Sequence, residues 1–209
     1  MKFLYVIKIP WIIRKLFPSL VTRIAVKDKI AFLTFDDGPT PEVTPQILDI
    51  LAEYNAKATF FCLGKNVEKY SAIFESIKND GHAAGNHSFD HKNGWKTQNK
   101  TYFDNIEKAG VLIKTNLFRP PYGKILPSQI KFIKSRYRIV MWDVLSGDFD
   151  PGIAKEKCVE NVVKNVKPGS IIVFHDSIKA MEKVLYTLPV ILKELSEKGY
   201  RFERISDQS

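Results

Sequence analysis

With only two cysteines in 209 residues, Cys62 and Cys158, the chain has neither a CxxC pair nor a disulfide framework, and two buried thiols are expected. Histidine is nearly as scarce, at four residues. No apolar run reaches the ~18 residues that a membrane-spanning helix needs. The most apolar stretch, MKFLYVIKIPWIIRKLFPSL, is interrupted by Lys8, Arg14 and Lys15, and Pro10 and Pro18 would break a long helix. It also lacks a clean apolar core followed by a small-residue cleavage site, so no cleaved export signal is recognised. Internal repeats, low-complexity tracts and linkers are absent, which argues for one domain. Lys and Arg exceed Asp and Glu by 32 to 23, a formal charge of +9. These lysines are scattered singly, and no basic cluster interleaved with aromatics suggests a nucleic-acid groove.

What the chain does hold is the composition of a globular protein with a substantial core, 44% hydrophobic and 12% aromatic. From residue 30 onward, strand-like runs alternate with helical ones, which predicts parallel strands joined by crossover helices. IAFLTF (30–35) reads as a buried strand. Thr44-Pro45 reads as an N-cap and first turn for a helix with Ile47, Leu48, Leu51 and Tyr54 on one face. KATFFCL (57–63) predicts a second strand, followed by a helix near 66–79 that ends at Asn79-Asp80-Gly81. Further strands are expected at 82–85, 117–120, 138–142, 170–174 and 201–205, and helices near 98–115, 155–166 and 180–198. The expected organisation is a single α/β domain over residues 28–209, with an apolar, basic extension (1–27) packed on it. Alternation alone fits either a barrel or an open doubly wound sheet.

In parallel β/α architectures reactive groups collect where strands end, and five polar clusters here obey that rule. LTFDDGP (33–39) sets Asp36 and Asp37 directly after the first strand, although Asp-Gly after alternating apolar residues is also a hairpin signal. HSFDH (87–91) spaces His87 and His91 four apart, so that one helical turn would bring them to one face, and an Asp nearby would complete a metal site. Its second position is Ser88 rather than Glu, so the base of an HExxH metalloprotease is missing. RPPYG (119–123) offers Arg119 on a rigid loop, WDVLSGDFDP (142–151) carries three aspartates after a strand, and VFHD (173–176) delivers His175 at a strand tip. Each cluster alone has a bland structural explanation. All five, in this order, would require five coincidences.

In that order TFDDGP, HSFDH, RPPY, the Asp148 loop and FHD resemble the five motifs of the polysaccharide deacetylases, carbohydrate esterase family four, which share the nodulation-protein deacetylase domain. The resemblance implies a distorted (β/α) barrel with fewer than eight complete strands. It also implies a metal-dependent hydrolase that removes N-acetyl groups from amino sugars in a peptidoglycan- or chitin-like polysaccharide or oligosaccharide. Asp37, His87 and His91 would then hold one divalent ion, zinc foremost, with cobalt or another divalent ion as alternatives, and leave positions open for water and substrate. By the same resemblance Asp36 would be the general base, Arg119 its partner, His175 the general acid, and Asp148 the group that raises the His175 pKa. Pro121, Tyr122, Phe149 and Val173 would line the substrate pocket, with the Tyr122 main-chain N–H helping to hold the oxyanion. Apart from the resemblance, Trp95 follows the metal motif on a Gly-containing loop, where either stacking on a sugar ring or a packing role is expected.

Two positions depart from the family pattern: Phe149 stands where Trp is usual, and Val173 where Leu is usual. Both bear on substrate range rather than proton transfer. His82, outside every motif, is expected to serve a structural hydrogen bond. The alternatives are a same-family hydrolase of a small non-sugar amide and a catalytically silent carbohydrate-binding domain; binding alone would need neither Asp36 nor His175. A two-His, one-carboxylate set also fits non-haem iron oxygenases, which would not need the Asp36/Arg119 and Asp148/His175 pairs. The expected partners are an N-acetylated glycan and, through residues 1–25, a membrane surface; no partner protein and no nucleic acid are expected. Location stays open between cytoplasm and envelope.

Overall fold

A computed structural model describes Ile7, Lys15 and residues 17–206. Among these residues the strands are β1 (Leu20–Val21), β2 (Ile30–Asp36), β3 (Ala58–Cys62), β4 (Ala83–Asn86), β5 (Leu117–Phe118), β6 (Arg138–Val140), β7 (Val144–Leu145), β8 (Ile171–His175) and β9 (Arg201–Phe202). The helices are α1 (Thr44–Glu53), α2 (Gly64–Lys69), α3 (Ser71–Asn79), α4 (Asn99–Ile113), α5 (Pro127–Ile133), α6 (Lys155–Val163) and α7 (Met181–Glu197). Strand order is β1-β6-β5-β4-β3-β2-β8-β7, with β9 joined to the start of β2, and the pairings are parallel.

That order settles the choice between barrel and open sheet. From β2 to β6 the chain steps in one direction, and β8 then returns to the far side of β2, as the last strand of a barrel meets the first. A doubly wound sheet would instead reverse at a switch point. The two ends of the sheet, β1 and β7, are not bonded to each other, so the architecture is a curled half-barrel.

The period of two along β2 explains how it serves two environments. Ala31, Leu33 and Phe35 enter the large core between the sheet and its helices, with Ile47, Leu51, Phe174 and Leu188. Phe32 faces the barrel interior with Phe61, Leu117, Val140 and Ile171. Thr34 and Asp36 follow Phe32 on that side, so the interior turns polar toward the ends of the strands.

Several expectations change. The helix near 66–79 is two helices, parted at Tyr70 (φ −123°, ψ 48°); the apolar spacing of Val67, Phe74 and Ile77 runs through the break and conceals it. Thr44 lies inside α1 rather than capping it, and Val43 precedes the helix without a side-chain cap. The strand expected at 138–142 stops at Val140, and the one expected at 201–205 stops at Phe202. β1, β7 and α5 were not anticipated; the first two are two-residue strands, too short to leave a periodic signal. Asp37-Gly38 makes no hairpin, since β2 pairs in parallel with β3 and β8.

β1 draws Leu20 and Val21 from the expected extension into the sheet beside Ile139 and Val140, and the Leu145 N–H donates to the Ile7 carbonyl at 2.8 Å. Apart from Ile7 and Lys15, residues 1–16, on which most of the expected membrane contact rests, lie outside the described residues. No helix among the described residues is long and apolar enough to cross a membrane.

Candidate active site

Asp36 closes β2 and stands in register with His175 at the end of β8 and Phe61 on β3. Its Oδ1 accepts from Arg119 Nη1 at 2.7 Å. Among the described residues Arg119 is the largest fully buried side chain, and its guanidinium makes further bonds: Nη1 also donates to Thr34 Oγ1 (2.7 Å), Nε to the Val140 carbonyl (3.2 Å) and Nη2 to the Met141 carbonyl (2.9 Å). The guanidinium lies over the Phe61 ring, 4.1 Å from its centroid. A buried cation held this way orients the Asp36 carboxylate and leaves its other oxygen uncommitted to the guanidinium.

One residue on, Asp37 adopts φ 87°, a left-handed conformation that costs a non-glycine residue about 1–3 kcal/mol. Ser88 (φ 65°), His91 (φ 59°) and Tyr122 (φ 59°) share that region, so four of the six non-glycine residues with positive φ among the described residues lie in the candidate motifs. The expected helical turn through HSFDH does not form. Left-handed turns at Ser88 and His91 instead bring the His87 and His91 rings to 5.0 Å between centroids.

Asp37 Oδ1 is 3.2 Å from His91 Nε2 and 3.7 Å from His87 Nε2, and one ligand atom from each residue falls within a 4.8 Å cluster. His87 Nδ1 lies 2.8 Å from the Arg119 carbonyl, which can only accept, so Nδ1 carries the proton and Nε2 presents its lone pair. Burial, with the neighbouring His91, pushes the His87 pKa down to about 3; burial also lowers that of His91, against the opposing pull of Asp37 and Asp36. Asp37 Oδ1 is itself buried without a hydrogen-bond partner. Two neutral imidazoles and an orphaned carboxylate oxygen converge, and electron-pair donors gathered in this way fit a divalent cation.

His175 donates both its main-chain N–H (2.7 Å) and Nδ1–H (2.8 Å) to the fully buried Asp148 carboxylate. Burial opposes charge on the ring, but the charge and hydrogen bond of Asp148, reinforced by Asp37 and Asp36, outweigh it and raise the His175 pKa to about 9. Phe149 meets the His175 ring edge-on at 5.1 Å, and Tyr122, 60% exposed, meets His91 at 4.4 Å. Pro121 opens the short turn that carries Tyr122, and Val173 is buried on β8 opposite Thr34. Trp95 bonds elsewhere, through Nε1 to the Ile125 carbonyl at 3.2 Å. His82, outside the motifs, accepts the Ala58 N–H through Nδ1 at 3.1 Å.

A family model described as polysaccharide deacetylase matches residues 23–136, more than half of the 209-residue chain. The chain belongs to the polysaccharide deacetylase family. A peptidoglycan-N-acetylglucosamine deacetylase of Bacillus cereus is 39% identical over 178 residues, covering 81% of this chain, which spans 64% of the relative's length. A crystal structure of a peptidoglycan N-acetylglucosamine deacetylase superposes with a TM-score of 0.85 at 35% identity, covering 90% of this chain and 91% of that one. A family-four pseudoenzyme from Bacillus anthracis superposes at 0.81 with 25% identity, covering 90% of this chain and 68% of that one. Polysaccharide deacetylases of this type depend on a divalent metal, and Asp37, His87 and His91 are the candidate site for it in this chain. The fold alone does not decide activity, as the pseudoenzyme demonstrates, and Asp148 and His175 lie beyond the matched segment.

Thr34, Asn66 and Asp176 also serve the site, without a motif role that marks them in the sequence. Thr34 relays Arg119 to β8 by donating to the Ile172 carbonyl at 2.8 Å. Asp176 sits inside FHD and carried a signal, while Asn66 sits in an unremarkable helix.

Proposed function

We propose that this chain is a metal-dependent hydrolase that removes N-acetyl groups from amino sugars in a peptidoglycan- or chitin-like glycan. The observation that carries the reading is that Asp36 and His175, in register across β2 and β8, lie next to the Asp37/His87/His91 cluster, each tied to its own buried partner. A divalent ion, zinc foremost, held by Asp37 and the Nε2 atoms of His87 and His91 would lower the pKa of water and polarise the acetyl carbonyl.

The residues divide the remaining work. Asp36, held by Arg119, takes a proton from the attacking water as its oxygen bonds to the acetyl carbon. The main-chain N–H of Tyr122 supports the negative charge on the carbonyl oxygen. As the C–N bond breaks, His175 gives its proton to the departing nitrogen, and Asp148 keeps that proton in place until then. The products are acetate and a free amino sugar. Tyr122, against the His91 ring, and Phe149, against the His175 ring, line the approach together with Pro121 and Val173, and Trp95 offers a further face for a sugar ring.

All the catalytic groups in this scheme fall within 28–209, which we take as the catalytic unit, with 1–27 as an extension that adds β1 to the sheet. Action on a cell-wall glycan would place the protein at the envelope, with residues 1–25 as a peripheral membrane contact; fractionation with and without that segment tests this. The activity itself is tested by acetate release from N-acetylglucosamine oligomers by chelator-stripped protein, before and after addition of zinc or cobalt, with Asp36→Asn as control. Metal-dependent release that disappears in the variant is expected. No release with metal bound would overturn the reading and favour the small-amide hydrolase or the silent domain.

A further inference from the structure

The left-handed backbone at Asp37 is strained, so something outside it must hold it. The Asp37 N–H donates to the Phe61 carbonyl (3.3 Å), and the Gly38 carbonyl accepts from the Leu63 N–H (3.0 Å). Between those two main-chain bonds lies the peptide unit joining Asp37 to Gly38, and side chains from two different elements take both of its polar ends. Asn66 Nδ2, on α2, donates to the Asp37 carbonyl at 2.8 Å. Asp176 Oδ1, just past β8, accepts the Gly38 N–H at 2.8 Å.

Asp176 is itself braced. Its Oδ2 accepts from Thr44 Oγ1 (2.7 Å), which in turn accepts the Thr40 N–H (2.8 Å), and its own N–H donates to the Asp36 carbonyl (3.1 Å). The carboxylate sits so close to Gly38 that a Cβ there would overlap it. Glycine at 38 is therefore a condition of the Asp176 contact, which gives Asp-Asp-Gly a structural reason beyond turn formation.

We propose that Asn66 and Asp176 are positioning residues that clamp the Asp37–Gly38 peptide plane and so aim the Asp37 carboxylate at His87 and His91. The inference rests on the metal reading above. Neither residue belongs to the ligand cluster; both act through the peptide that carries a ligand. Rotation of this plane swings the Asp37 side chain, because φ and ψ on either side of its Cα are the soft coordinates of the loop. Outer partners of metal ligands commonly govern affinity by about 10- to 100-fold.

The test is zinc affinity of the full chain by competition with a chromophoric chelator, with thermal unfolding of the metal-free protein measured alongside. Asn66 is only partly buried, so Asn66→Ala and Asn66→Asp should fold. Both are expected to weaken zinc binding about 10- to 100-fold, and Asn66→Asp more, because it turns an acceptor toward the Asp37 carbonyl. Asp176→Asn keeps an acceptor for the Gly38 N–H and should stay within about threefold of wild type, whereas Asp176→Leu should not. A merely structural role would lower the unfolding temperature and leave zinc affinity unchanged. Wild-type affinity within twofold in both Asn66 variants overturns the clamp, whether or not Asp176→Leu folds. A wild type that binds no zinc overturns the metal reading and the clamp with it, so the wild-type titration separates the two failures.

Discussion

Replacing Asp148 by Asn leaves the side-chain shape almost unchanged and removes one charge, which makes it a direct probe of how His175 is kept protonated. The carboxylate accepts two bonds from His175, at 2.7 and 2.8 Å, and an amide can accept only one of them without turning an N–H against an N–H. Burial of the imidazole works against its charge, and Asp148 is the largest of the influences that raise its pKa to about 9. If the variant returns His175 to the ordinary value near 6.5, the protonated fraction at pH 8 drops from about 0.9 to about 0.03, a loss of roughly 30-fold in kcat. At pH 6 the loss from this cause is below about 1.5-fold. Acetate release from N-acetylglucosamine oligomers at saturating zinc, followed across the pH range, should show the alkaline limb moving downward from about 9 toward about 6.5. A limb that stays near 9, or a loss equal at every pH, would refute the assignment of Asp148 and His175 as a coupled acid.

Arg119→Lys cannot reproduce four donated bonds in a buried site; it should cost about 3–5 kcal/mol in urea unfolding and lower kcat, and a cost under about 1 kcal/mol would show that the guanidinium is dispensable. Gly38→Ala should both destabilise the protein and weaken zinc binding, and the double variant Gly38→Ala with Asp176→Gly should regain part of the stability by removing the overlap; no recovery would count against the overlap as the cause. His82 is buried, and burial with the charges of Lys57 and Arg204 pushes its pKa down to about 4 against the pull of Asp80, so the unfolded chain takes up this proton first. Its contribution to stability is present above about 6.5 and lost as pH falls through about 4, and His82→Gln should flatten the decline of the unfolding temperature over that window. His175 has the opposite sign: its contribution is full below about 6.5 and lost as pH rises through about 9, so Asp148→Asn should remove the alkaline decline of stability as well.

Much of the fold could be read in advance because its central elements are long enough to carry a period. β2, α1, β3, α4 and α7 show runs of apolar residues at spacings of two or of three and four, and the corresponding burial follows. The break at Tyr70 escaped because the apolar face passes through it unchanged, and β1 and β7 escaped because two residues carry no period. Thr44 departs from expectation for a specific reason. Its hydroxyl looked like a cap for its own helix, yet it donates to Asp176 across the fold. Among the site residues, those whose types are scarce stood out: two of the four histidines lie in one five-residue segment. Asn66 did not, because an Asn on a surface helix has nothing to distinguish it until its partner is known.

The sequence alone determined which chemistry is available: paired carboxylates at a strand end, two histidines four apart, an arginine beside two prolines, and a histidine at the tip of a buried strand, in an order shared with a family. Local composition and spacing suffice for that, because the reacting groups are written into the chain. Tertiary structure decided how those groups meet. The register of β2 against β8 sets Asp36 opposite His175, left-handed backbone rather than a helical turn joins His87 to His91, and the buried fork of Arg119 ties β5 to β2 and β6. The Arg119 bonds to Asp36 and Val140 join residues 83 and 21 positions apart, and no local pattern specifies which side chains a curled sheet brings face to face.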